Sequence, residues 1–147
     1  MILLKNMDKT NTVKVEEFMG FFKAQSEIGL LVFNTKEELE KTEQFLTDNG
    51  FVLSFNCFQI MNYLKNKQSV ILSLSEKITP EIYSLITQYS DRAGEIQMMN
   101  PATMVLEQVE FDPKESHLLL LATETIWGKI DEEFDLKNKV GLMERIK

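Results

Sequence analysis

Two stretches of this chain share one order: an apolar run, an amphipathic helical stretch, then a second apolar run. IGLLVFN (28–34) leads through TKEELEKTEQFLTDNG into FVLSFN (51–56), and SVILSLS (69–75) leads through TPEIYSLITQYSDRAG into EIQMMN (95–100). Residues 28–34 are apolar nearly throughout, as a strand covered on both faces requires. The 16 residues between the first pair are enough for a right-handed parallel crossover. These units predict an α/β fold: a Rossmann-like layered sheet of about five mainly parallel strands with helices on both faces and room for an antiparallel edge strand after residue 111.

Local signals fill in the rest. Val15, Phe18, Met19 and Phe22 recur at helical spacing, with Phe21 widening the stripe and Asn11 or Thr12 as cap, which predicts an N-terminal amphipathic helix over about 12–24. Leu39, Thr42, Phe45 and Leu46 give the inner face of the next helix, which Asn49 and Gly50 stop. CFQIMNYLKNK reads as a short helix, and Ile82, Leu85, Ile86 and Tyr89 form another that Thr79 caps and Pro80 opens. Residues 101–111 fit a helix from Pro101 or a strand with Val105, Val109 and Phe111 on one side. HLLLLA reads as a buried strand, and Leu136, Val140, Met143 and Ile146 predict a C-terminal helix over about 135–146. At 147 residues without an internal linker, the expectation is a single domain, 1–147, able to bury roughly 70% of its unfolded surface.

The inventory of reactive residues is thin. Cys57 stands alone, which suits a cytoplasmic protein and excludes an internal disulfide. The opening MILLKNMDK reverses the charged-then-apolar order of a signal peptide, and the apolar runs are too short to span a bilayer, so no membrane association is expected. The six glycines are isolated, so no phosphate-binding loop and no nucleotide cofactor is expected. His117 has no GxSxG motif beside it, and the carboxylates show no metal-ligand spacing. Binding is favoured over catalysis, with no catalytic residue assigned.

Two sets of residues remain as candidates. In open α/β sheets ligands favour the carboxyl ends of the strands, and those ends carry Asn34, Asn56, Cys57, Ser75, Glu76, Asn100, Thr123 and Glu124. This polar rim is a candidate small-molecule site, with Glu76 or Glu124 as acid or base; the same residue types also cap helices and turn loops. The second set follows from charge. The net charge is −7, and residues 95–135 hold ten acids against Lys114 and Lys129. Such a surface repels phosphate backbones, which disfavours nucleic acid, and suits a basic protein partner. Trp127, with Asp131, Glu132, Glu133 and Asp135, is the candidate contact, although core packing explains a lone tryptophan equally well. The expected function is that of a non-enzymatic binding or regulatory protein acting through this acidic surface, the alternative being a small enzyme or ligand-binding domain using the rim. Homo-oligomerisation is left open.

Overall fold

The computed structural model describes residues 9–92 and 94–146. The MILLKNMD opening, and with it most of the segment read for a signal peptide, lies outside them.

Five parallel strands form the main sheet: β1 (Ile28–Phe33), β2 (Val52–Leu53), β3 (Val70–Ser73), β6 (Leu118–Thr123) and β7 (Val140–Ile146), in the spatial order β2-β3-β6-β1-β7. Two further strands, β4 (Glu95–Asn100) and β5 (Val105–Glu110), pair only with each other, antiparallel. The helices are α1 (Lys9–Phe22), α2 (Lys36–Asp48), α3 (Cys57–Lys65), α4 (Pro80–Asp91) and α5 (Glu124–Phe134). The fold is α/β, with helices on both faces, and the antiparallel pairing stands apart from the parallel sheet.

Alternation along the strands separates two cores. Leu30 and Val32 of β1, with Leu118, Leu120 and Ala122 of β6, face α3, α4 and α5. Leu31, Phe33, Leu119 and Leu121 face α1 and α2. The chain moves one way across the sheet through α3, α4 and α5 and back only through α2. Connections travelling in opposite directions must lie on opposite faces if all share one hand, and these do.

The crossover through α2 joins β1 to a parallel β2 that is not its neighbour, since β6 and β3 lie between them. The strands that are apolar on both faces take the centre, whereas β2, two residues long and partly exposed, tolerates an edge. The second unit does not return to the sheet at all. In β4, Ile96 and Met98 are buried while Met99 is exposed, and a strand with one apolar face has no place in a doubly covered sheet. It pairs with β5, so 105–110 is strand, with Val109 packed inward as the alternation allowed.

The C-terminal helix over 135–146 is also wrong. Asp135 takes a left-handed conformation (φ 53°) that ends α5, a 3-10 turn follows over Leu136–Lys139, and Val140–Ile146 runs as β7 beside β1. Spacing in this short tail fits both periods. The deciding factor is the free edge of β1, whose buried backbone groups would otherwise lack partners. At the other end α1 is already helical at Lys9, ahead of the caps read at Asn11 and Thr12. α5 itself was not anticipated; Thr123 caps it by accepting from Ile126 N at 3.3 Å.

Candidate functional site

The polar rim divides once its contacts are known. Asn56 caps α3, its side chain accepting from Phe58 N and Gln59 N at 3.0 and 3.1 Å. Cys57 behind it is buried, and burial, aided by the charge of Glu81, pushes its thiol up to about 11. Burial and the raised pKa both work against a thiolate nucleophile at this position. Asn34 is exposed just after β1, and Asn100 lies on the hairpin bound to Glu107 at 2.6 Å, away from the rim. Glu76 pairs with Lys129 at 3.0 Å and Glu124 with Arg145 at 2.9 Å, so the two proposed acid–base groups each face a different cation. Ser75, Glu76 and Thr123 are the rim residues that share one feature, a groove of about 890 Å³.

This groove lies over the carboxyl ends of β2, β3 and β6, between α2, which packs over β1, β6 and β2 on one face, and the start of α5 on the other. Leu53 and Phe55 are exposed there, with Leu74 and Ile126 completing apolar walls. α2 borders the opening with Lys36, Glu40, Glu43, Gln44 and Thr47, which recur at helical steps. The half-buried Glu43 accepts a hydrogen bond from Ser73 Oγ. Glu43 and Phe55 were missed by sequence reasoning, since neither ends a strand.

The acidic surface loses its proposed anchor. Trp127 is 4% exposed and packs in the core beneath α5, so it cannot insert into a partner. A tryptophan three residues into an amphipathic helix falls on the inward stripe with Ile130. Asp131 and Asp135 help close the helix end, accepting from Lys137 N at 3.1 Å and Asn138 Nδ2 at 2.9 Å. Glu132 and Glu133 are exposed in the last turn, where carboxylates are disfavoured by the helix dipole.

Exposed apolar surface lies instead on the β4–β5 hairpin. Met99 and Leu106 are cross-strand partners, 50% and 51% exposed, and beside them at the turn Met104 and Val105 are 74% and 55% exposed. Met104 also holds a left-handed φ of 56°, unfavourable for a residue of its bulk. On the same outer face Glu95 stands directly opposite Glu110. Among the described residues no ion pair compensates Glu95, Glu107 or Glu110. The sequence carried one available signal: alternation in EIQMMN marks a strand with a single inner face.

His117 is buried against the Phe22 ring, centroids 5.1 Å apart, and its Nδ1 has no hydrogen-bond partner among the described residues. Burial, and then the Lys23 charge, lower its pKa below the ordinary 6.5, against smaller opposing effects of the Lys114 backbone and Asp112. With a lowered folded-state pKa, the unfolded chain takes up the proton first as pH falls. Stability is therefore complete above about pH 6.5 and declines as pH drops below it. Urea midpoints at about pH 7.5 and 5.5 should fall more in the native protein than in His117→Gln; equal falls would place the titration elsewhere.

No helix among the described residues is long and apolar enough to cross a membrane, and no three His, Cys, Asp or Glu side chains converge as metal ligands among them. Neither protein-family models nor curated proteins give a match to this chain.

Proposed function

We propose that this is a non-enzymatic recognition protein that docks a basic partner protein on the β4–β5 hairpin. The observation that carries this reading is the exposed apolar tip formed by Met99, Met104, Val105 and Leu106, on a hairpin whose same outer face carries the Glu95 and Glu110 pair at its base. Contiguous apolar surface rimmed by charge is the usual mark of an interaction site. A partner laid along the hairpin, with apolar side chains at the tip and lysine or arginine towards the base, would bury the tip and relieve the repulsion across the Glu95–Glu110 pair. A second copy of this chain would bring acid against acid, and phosphate backbones are repelled for the same reason. The reading is of a cytoplasmic protein, which the lone reduced Cys57 supports.

The test uses a synthetic peptide alternating lysine with leucine or phenylalanine, titrated by fluorescence anisotropy. Binding should weaken as salt rises from about 50 to about 300 mM. Leu106→Asp removes the apolar area that the half-exposed side chain would bury, worth about 1–2 kcal/mol, a loss of roughly 5- to 30-fold in affinity. The sign of that effect is informative: attraction by charge alone would strengthen with the added carboxylate, and unchanged or tighter binding refutes hairpin docking.

A further inference from the structure

The groove at the β2/β3 edge is independent of the hairpin, and its walls specify a ligand. Its volume, about 890 Å³, lies within the range of small-molecule sites, roughly 300–1,000 Å³. It opens at the carboxyl ends of β2, β3 and β6, where parallel sheets ordinarily hold ligands. Leu53, Leu74 and Ile126 supply an apolar wall and Phe55 an exposed ring face.

The charge in the groove is mostly negative. Glu40, Glu43 and Glu76 line it against Lys36. Lys36 is set 3.9 Å from Glu40, and Glu76 is met by Lys129 at 3.0 Å. Glu43 differs: its partner is the neutral Ser73 hydroxyl, and no ion pair reaches it among the described residues. A half-buried carboxylate attracts a cation more strongly than one in open water, because less solvent screens the pair. An anion would meet three carboxylates, and a neutral apolar molecule would leave Glu43 without a counter-charge.

We infer that this groove binds a small organic amine, a protonated nitrogen on an apolar, ring-sized body, with the ammonium on Glu43 and the ring against Phe55. The Ser73 hydroxyl holds the carboxylate in place, and the Phe55 face offers the ligand's ring a stacking surface.

The probes are 2-phenylethylamine and its neutral and anionic counterparts, 2-phenylethanol and 3-phenylpropionate, followed by calorimetry and by amide shifts of the labelled protein. The amine is expected to bind with a Kd below about 1 mM, at least about tenfold tighter than either counterpart. Its shifts should fall on Leu53, Phe55, Ser73 and α2. Glu43→Gln should weaken the amine at least about tenfold and leave the alcohol unaffected, while Glu17→Gln, an equal loss of charge on the distant α1, should change nothing. Ser73→Ala, which keeps the carboxylate, should weaken it by a smaller factor. Equal binding of all three probes, preference for the carboxylate, no binding at about 10 mM, or an unaffected Glu43→Gln variant would each overturn the assignment.

Discussion

Alanine at position 94 is expected to cost about 3–5 kcal/mol and to loosen the hairpin from the body of the protein. Gly94 sits at the foot of β4 with φ +81°, and a Cβ there would collide with the carbonyl oxygen of Phe111 and press Pro113. That contact is backbone against backbone: Phe111 N donates to Gly94 O at 2.9 Å, closing the hairpin base. Flexible side chains can step aside, but this carbonyl belongs to the backbone of the residue that closes the hairpin base, and shifting it disturbs that closure. Gly50 is the control, with φ +98° and open space around its missing Cβ, so Gly50→Ala should cost only the conformational part, about 1–2 kcal/mol. Urea denaturation gives the two losses. Amide exchange should show the extra loss of Gly94→Ala concentrated in β4 and β5; equal losses at both sites would mean the hairpin base is not closed as described.

Trp127→Ala should cost about 3–5 kcal/mol, as loss of a large buried ring does. The ring packs with Ile130 beneath α5 and is the protein's one tryptophan, so its fluorescence reports this site alone. Emission should be blue-shifted and resistant to acrylamide in the native protein. A loss under about 1 kcal/mol, with emission typical of water, would return Trp127 to the surface and revive it as a partner anchor.

These predictions rest on features that the sequence revealed unequally. β1, β3 and β6 were legible because largely apolar runs have few other uses, and a cap such as Thr79 followed by Pro80 marks where a helix begins. β7 was not, since VGLMERI is short enough to satisfy either period and only the edge of β1 decides between them. Ser75, Glu76 and Thr123 could be placed on a rim because they end strands. Glu43 and Phe55 could not, as their sharing one groove depends on β2 taking the sheet edge with α2 packed alongside. The exposed tip likewise depends on the register that sets Met99 opposite Leu106 and on the separation of the hairpin from the sheet. Trp127 was legible as a large residue needing burial, but the acidic residues around it drew the reading outward.

Amide shift mapping of the isotopically labelled protein with the lysine–leucine peptide tests hairpin recognition most directly. Docking on the hairpin predicts shifts concentrated in Glu95–Glu110, largest at Met99 and Met104–Leu106, with α5 undisturbed. Shifts gathered on Asp131–Asp135, or spread evenly over every acidic stretch, would contradict it.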